Sequence, residues 1–391
     1  MISKENAIEE GFQLSRLRVA FNWLALGILM IFYAGTWTFP YFYHITEIYN
    51  TAIIFVALAI LFFNNVPWLK RLREGDKLLY CLGITLAIAL VNLFIIGSNK
   101  GCFLIILDFL LIWYIAPFIQ LSRVQRKTYE IFFLLMFISW FLYDRAFSYN
   151  SNTGATVTVF TFFGAMVMLQ RLTRRKEIFG FFMVISVIRV VTLVLWHLAR
   201  GAFLALFLFM LFYYFFPGKK WQNRKIFTFF SLFSTLGSLL FVSLYIFLGT
   251  TGFNMRLPFF YKNIFSGREQ IWLEVWEMLQ TRLLTGIGSG FRLRSFFEYN
   301  IHNAMYDILA VHGILVFIGA LIIILSRLSQ IRTRLVAGGR EKLCAISALF
   351  AIFIESFIDM DLMWADYSPL LLFLILTLYE PEGTKTESER G

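Results

Sequence analysis

The sequence is a succession of long apolar runs separated by short charged segments. Of its 391 residues, 59% are hydrophobic and 15% are charged, which is too apolar for a soluble domain. The pattern predicts an all-α polytopic integral membrane protein that forms a single transmembrane domain over residues 1–391, with about 12 transmembrane helices of about 20 apolar residues each. The predicted spans are 19–37, 49–67, 78–97, 103–121, 130–143, 154–170, 178–196, 202–217, 226–248, 303–325, 343–360 and 368–380.

The basic residues are distributed unevenly between the two sides that alternating spans create. If the N-terminus lies inside, 25 of the 35 Lys and Arg residues fall in the inside segments, as the positive-inside rule expects. The net charge of +11 is therefore a topology signal, and we expect membrane lipid rather than nucleic acid as a partner. The polar residues 381–391 predict a disordered cytoplasmic tail.

The longest connection, residues 249–302, departs from this distribution because it carries six of the ten remaining basic residues. Within it, Ser266-Gly267-Arg268-Glu269 fits a capping box, which predicts an amphipathic helix over 269–284. Arg268 would lie in the first turn of that helix, where free backbone N–H groups favour an anion. The connection predicts either an anion site on the outer face or a charged surface that contacts lipid headgroups.

Two further segments bring polar groups to the same predicted face. His302-Asn303 opens the tenth span, where the helix dipole disfavours an imidazolium, so His302 is suited to accept a proton. Arg200 lies in the tight turn between the seventh and eighth spans. The structural alternatives are an interfacial His that is bonded to a neighbour and an Arg that snorkels to the interface.

Charges within predicted spans are costly and need partners. Asp108, Arg189 and Glu355 lie in the outer halves of their spans, which predicts pairing among them, a polar crevice open to the outside, or both. Asp359-Met360-Asp361 follows, and such a pair can bind a metal, an acceptor hydroxyl or only water. Because no convincing set of metal ligands and no P-loop pattern is present, we expect neither a metal nor a cofactor.

Three blocks, in this order, resemble the O-antigen ligase/polymerase superfamily of bacterial envelope glycosyltransferases. They are similar to the family's S-R-G-A, R-x-x-x-W … G-x-G and H-N-x(9)-G patterns, although Ala199 replaces the usual Ser and Val316 stands where Gly, Thr or Tyr is commoner. They cover roughly residues 199–316, and the first half of the chain matches only as a run of spans. The blocks are Ala199-Arg200-Gly201-Ala202, then Gly267-Arg268-Glu269-Gln270-Ile271-Trp272 with Leu284-Thr285-Gly286-Ile287-Gly288, and finally His302-Asn303 with Gly313.

This resemblance implies a GT-C-like fold in the bacterial inner membrane, with 249–302 as an external catalytic loop that faces the periplasm. It implies an inverting, metal-independent transfer of a glycan from undecaprenyl pyrophosphate to a sugar hydroxyl, which belongs to lipid A–core in a ligase. Arg200 and Arg268 would stabilise the departing pyrophosphate, and His302 would accept the proton of the attacking hydroxyl. Substrate-binding roles are expected for Asn303, Arg292, Arg294, Lys262, Arg189 and Asp361.

Two other functions stay open at this point. A repeat-unit polymerase would use the same residues, with the sugar of a second lipid-linked unit as the attacking group. A lipid-linked oligosaccharide flippase or another transporter would carry ionisable groups near the membrane midplane, often in two repeated halves. Here most of the basic residues outside the predicted cytoplasmic segments instead lie in one long connection, and no repeat is evident.

Overall fold

The computed structural model describes residues 16–96, 101–143, 151–173, 175–253, 267–294, 301–335, 339–359 and 361–380. Within these ranges the chain is helical and contains no strand. Short 3-10 turns are formed by Ala116–Phe118 and Ala365–Tyr367. The α-helices are α1 (Arg16–Thr38), α2 (Pro40–Asn65), α3 (Trp68–Arg73), α4 (Lys77–Ile96), α5 (Gly101–Ile115), α6 (Arg123–Leu142), α7 (Ser151–Leu172), α8 (Lys176–Trp196), α9 (Arg200–Phe215), α10 (Gly218–Gln222), α11 (Arg224–Thr250), α12 (Arg268–Leu279), α13 (Ala304–His312), α14 (Ile314–Arg334), α15 (Arg340–Glu355) and α16 (Ser368–Tyr379).

The described residues include seven helices that are long and apolar enough to cross a membrane. They lie within α1, α2, α4, α7, α8, α11 and α14, and shorter apolar helices are Cys102–Phe118, Arg200–Phe215 and Ala365–Tyr379. Every one of the twelve predicted apolar runs contains a helix. The all-helical fold with membrane-suited helices is thus confirmed, whereas twelve crossings stay a prediction.

Helix α7 lies at the centre of the bundle. In the most apolar 18-residue stretch of α7, 83% of the residues are buried, because α6, α9 and α15 pack around this helix. Phe163 of α7 stacks on Phe209 of α9 with ring centroids 4.7 Å apart, which adds to the stabilisation from the area both rings bury. The helices α4 and α8 instead expose apolar side chains such as Phe94 and Ile188, as expected for surfaces that face lipid.

An ionic network joins several helix ends at the face that the sequence predicts to be cytoplasmic. Arg126 and Arg171 both donate to the carboxylate of Glu380, and Arg171 also lies 3.1 Å from Glu130. Lys342 donates to the backbone carbonyl of Glu380 at 2.9 Å. Because partly buried charges are tolerated when they are paired, this network can hold the end of α16 against α6, α7 and α15. The tail predicted beyond Glu380 lies outside the described residues.

The tenth predicted span is broken into α13 and α14, which meet at Gly313. This glycine has a φ of 83°, and a Cβ there would lie only 2.3 Å from the carbonyl oxygen of Leu284. The segment 283–288 satisfies backbone groups at the break; for example, the Ile287 N–H donates to the Ala310 carbonyl at 2.7 Å. Broken helices are tolerated at membrane depth when protein groups satisfy the freed backbone in this way. The predicted G-x-G block therefore packs against α13, the helix that follows His302 and Asn303.

Candidate functional site

Helix α12 begins at Arg268 and is shorter than predicted, since it ends at Leu279. Its N-cap is Gly267, with a left-handed φ of 86° and no side-chain capping bond, and Ser266 of the predicted capping box lies outside the described residues. Glycine adopts this φ without steric cost. The predicted apolar face is confirmed in part: Ile271, Trp272, Val275 and Leu279 are buried, whereas Trp276 and Leu283, which the same pattern assigns to that face, are exposed.

Contacts of Trp272 hold α12 against the segment that carries His302. The indole N–H of Trp272 donates to the Ile301 carbonyl at 2.5 Å, and the Tyr306 hydroxyl donates to the Trp272 carbonyl at 3.2 Å. The ring of Tyr245 packs on Trp272 with centroids 4.9 Å apart. The tryptophan of the second sequence block therefore sets the position of α12, and of its first residue, relative to His302.

His302 and Asn303 form the entry to α13. His302 has a φ of 53°, a left-handed conformation that is strained for residues other than glycine and often marks functional sites. The buried Asn303 caps the helix, since its Oδ1 accepts from the Tyr306 N–H at 2.9 Å. The same oxygen accepts from the Ser238 hydroxyl at 2.8 Å, and Nδ2 donates to the Phe357 carbonyl at 2.9 Å. The Asn303 amide is thus engaged by the protein and fixes the backbone next to His302.

The carboxylate of Asp359, just beyond α15, joins two of the predicted catalytic residues. One oxygen lies 3.4 Å from Nδ1 of His302, and the other lies 3.7 Å from Nη2 of Arg268. The three side chains are between 20% and 34% exposed, so the group is accessible but not fully solvated. A carboxylate at one imidazole nitrogen leaves the other nitrogen for proton transfer.

Arg200 and Arg268 line a small recess beside this group, where the N-terminal ends of α9 and α12 converge. Its volume is about 40 Å³, which holds roughly three water-sized groups. Neither helix has a side-chain N-cap, so the helix dipoles and first-turn N–H groups favour an anion there. The lining residues are Asn152, Thr156, Leu198, Ala199, Arg200, Gly201, Ala202, Arg268, Ile358 and Asp359.

Asp359 also belongs to a cluster of three carboxylates. Oxygen atoms of Glu355, Asp359 and Asp361 lie within 4.8 Å of one another, and Glu355 is fully buried. Burial, together with the neighbouring Asp359 carboxylate, raises the pKa of Asp361 well above its usual range. Carboxylate oxygens at this spacing suit a hard divalent cation, and a proton shared between carboxyl groups would relieve the same repulsion.

The other predicted residues of the long connection are not part of the recess. Arg292 and Arg294 are exposed, and the backbone N–H of Arg294 donates to the Glu274 carboxylate of α12 at 2.6 Å. These two arginines therefore lie on an open surface, where they can meet a soluble or headgroup anion. Lys262 lies outside the described residues.

The charges predicted to pair inside the spans are separate from one another in the described residues. Arg189 donates to the backbone carbonyl of Phe141 at 3.0 Å and does not line the recess. Asp108 is buried, and its oxygens have no hydrogen-bond partner among the described residues. Glu355 belongs to the carboxylate cluster instead. The predicted pairing is therefore not observed.

Sequence reasoning missed the contribution of α7 to this site. Asn152 and Thr156, near the start of α7, line the recess, but neither carries a charge and no motif marks them. The sequence identifies Asp359 only as one half of an aspartate pair. Its contacts with His302 and Arg268 depend on the packing of α15 against the rest of the bundle.

No protein family, curated protein or solved structure matches this chain. The resemblance to the O-antigen ligase/polymerase superfamily therefore rests on the three sequence blocks alone. Two blocks supply the arginines of the recess, and the third supplies the histidine beside Asp359.

Proposed function

We propose that this protein is a membrane glycosyltransferase that moves a glycan from undecaprenyl pyrophosphate to a sugar hydroxyl. The proposed transfer inverts the anomeric centre, needs no metal and uses lipid A–core as acceptor, as in an O-antigen ligase. It would occur at the outer face of the bacterial inner membrane, which is the side that the positive-inside rule assigns to residues 249–302.

The observation that best supports this proposal is the meeting of three sequence blocks at one place. Arg200 begins α9, Arg268 begins α12 and His302 precedes α13. Asp359 contacts Arg268 and His302, and it lines the recess together with Arg200 and Arg268. Group transfer to a hydroxyl requires a base, an acid that orients the base, and groups that bind the anionic leaving group. Residues suited to all three roles lie within reach of one recess.

In the proposed reaction, Arg200 and Arg268 hold the oxygens of the pyrophosphate. Negative charge grows on this leaving group as the glycosidic bond breaks, and guanidinium groups bind such oxygens in a bidentate manner. Arg268 lies 3.7 Å from the Asp359 carboxylate, which is too far for a good hydrogen bond. A phosphate can therefore engage the donors of Arg268 at little cost to the resting contact.

His302 is the proposed general base. Because Asp359 faces Nδ1, Nε2 is left to take the proton of the acceptor hydroxyl. The hydroxyl oxygen then bonds to the anomeric carbon while the bond from that carbon to the pyrophosphate oxygen breaks. The carboxylate stabilises the imidazolium that forms, as in other base–acid pairs.

The remaining predicted residues have supporting roles in this proposal. The exposed Arg292 and Arg294, together with Lys262, attract the pyrophosphate headgroup or anionic lipid to the surface. Asp361 binds acceptor hydroxyls, because a protonated carboxyl can donate as well as accept. Asn303 acts through the backbone of His302 rather than on the substrate.

One observation favours a second mechanism for the same reaction. The cluster of Glu355, Asp359 and Asp361 has oxygen spacing that suits Mg²⁺ or Mn²⁺, and such a cation could stabilise the leaving group in place of an arginine. A polymerase would share either mechanism and differ in its acceptor. A flippase would use ionisable groups near the midplane, whereas the sequence predicts Asp108, Arg189 and Glu355 in the outer halves of their spans.

The proposal is tested by glycan transfer from a lipid-linked donor to lipid A–core, measured with the purified protein in lipid nanodiscs. His302→Ala should lose about 10²–10⁴-fold in rate while it still binds the donor. Arg268→Ala and Arg200→Ala should lose both rate and donor affinity. Arg→Lys at either position should rescue only in part, because an ammonium lacks the planar fork.

Arg282→Ala is the matched control, since Arg282 is an exposed arginine of the same connection and does not line the recess. It should transfer at the normal rate. Near-normal transfer by His302→Ala would remove the base assignment. Transfer to a second lipid-linked unit, but not to lipid A–core, would identify a polymerase, and movement of the donor across the bilayer without transfer would identify a flippase.

A further inference from the structure

Besides its two arginines, the recess between α7, α9 and α12 has hydrogen-bond donors that carry no charge. Helix α9 begins after Ala199, whose methyl side chain cannot accept from the first-turn N–H groups, and no side-chain cap bond is present. Gly201 and Ala202 of this turn line the recess. The N-terminus of a helix leaves such N–H groups without a partner inside the helix.

Thr156 is a second and independent donor at this place. Its side chain is buried, with 5% of the residue exposed, and it lines the recess. No hydrogen bond of its hydroxyl is found among the described residues. Two other threonines of α7 behave differently, since Thr158 donates to the Gly154 carbonyl at 2.9 Å and Thr161 donates to the Val157 carbonyl at 2.6 Å.

A hydroxyl that makes no bond to protein is normally satisfied by water or by a ligand, and Thr156 lines the recess. The recess, with a volume of about 40 Å³, has room for the oxygens of one phosphoryl group. The Asp359 carboxylate also lines the recess, but the two guanidinium groups outnumber it, and with the helix N-terminus they make the recess favourable for a negative charge.

We propose that the recess is a phosphoryl subsite in which the Thr156 hydroxyl and the first turn of α9 donate to oxygens of a pyrophosphate, beside Arg200 and Arg268. The inference rests on the proposed function only for the identity of the donor lipid. The binding step itself requires an anionic phosphoryl group and no group transfer. Thr156 is thus a binding residue that recognises the leaving group through a neutral hydrogen bond.

The test measures binding of undecaprenyl pyrophosphate to the full-length protein in nanodiscs, with inorganic pyrophosphate and inorganic phosphate as competitors. Thr156→Val keeps the shape and removes the hydroxyl, so it should weaken lipid binding about 10- to 100-fold, the usual value of a hydrogen bond to a charged group. Thr156→Ser should bind like the natural protein. Thr158→Val is the control, because the Thr158 hydroxyl already bonds to its own helix.

Competition separates the two possible sources of the anion. Inorganic pyrophosphate should displace the bound lipid from the natural protein and should do so less effectively in Thr156→Val. This result supports a phosphoryl subsite, whether or not a lipid is the natural carrier of the phosphoryl group. Equal binding by Thr156→Val and the natural protein, at equal thermal stability, would overturn the proposal, and so would loss of binding in Thr156→Ser. Normal pyrophosphate binding without glycan transfer would leave the subsite intact and remove the glycosyltransferase function instead.

Discussion

Asp359→Asn is the substitution that examines the proposed site most directly. The carboxylate lies 3.4 Å from Nδ1 of His302 and 3.7 Å from Nη2 of Arg268. Asn has nearly the same shape and can still accept from Nδ1, so the substitution removes the charge and little else. What is lost is the attraction between the carboxylate and the imidazolium that forms as the acceptor proton moves.

The size of this loss follows from the distance and the exposure. Two unit charges about 4 Å apart attract by about 1 kcal/mol in water and about 4 kcal/mol at an effective dielectric constant of about 20. The Asp359 side chain is 34% exposed, so solvent screening places the value toward the lower end, at about 2 kcal/mol. This amount corresponds to about a 30-fold loss of rate.

The assay is glycan transfer at saturating donor, measured for Asp359→Asn, for His302→Ala and for the double variant. If Asp359 acts through His302, Asp359→Asn alone should lower the transfer rate about 30-fold. In the His302→Ala background the same substitution should lower it less than about 3-fold, since the effects of coupled residues are not additive. Donor affinity should be unchanged or higher, because Arg268 is released. The control Glu277→Gln removes an exposed charge on α12 and should transfer glycan at the normal rate. An undiminished 30-fold loss in the His302→Ala background would refute the reasoning.

Three further predictions concern the metal, the helix cap and the broken helix. Transfer should continue in EDTA, because two arginines neutralise the leaving group; activity that is lost and then restored by Mg²⁺ or Mn²⁺ would assign the carboxylate cluster to metal binding. Ala199→Ser should cap α9 and raise the unfolding free energy by about 1 kcal/mol, and a lower melting temperature would contradict the uncapped helix end. Gly313→Ala should lower the unfolding free energy by about 1–3 kcal/mol or more, because the φ of Gly313 is 83° and the added Cβ would lie 2.3 Å from the Leu284 carbonyl oxygen. Gly290 has open space around it, so the control Gly290→Ala should have a normal melting temperature.

The apolar runs by themselves determined that this chain folds as a helical bundle suited to a membrane. A run of apolar residues without water to bond its backbone has to form a helix, so each predicted run contains one. Local sequence was less reliable at helix ends. Helix α12 ends at Leu279 rather than near Leu284, and its N-cap Gly267 has a left-handed φ. The span predicted over 303–325 is broken at Gly313, where the segment 283–288 supplies partners for its backbone.

The motifs identified Arg200, Arg268 and His302, but only the tertiary structure decided what joins them. Asp359 contacts His302 and Arg268 from a separate helix end, and Thr156 reaches the recess because α7 runs through the middle of the bundle. Neither contact has a signature in sequence spacing. Local patterns report propensity and charge along the chain, whereas a recess is made by side chains that are distant in sequence and are brought together by helix packing.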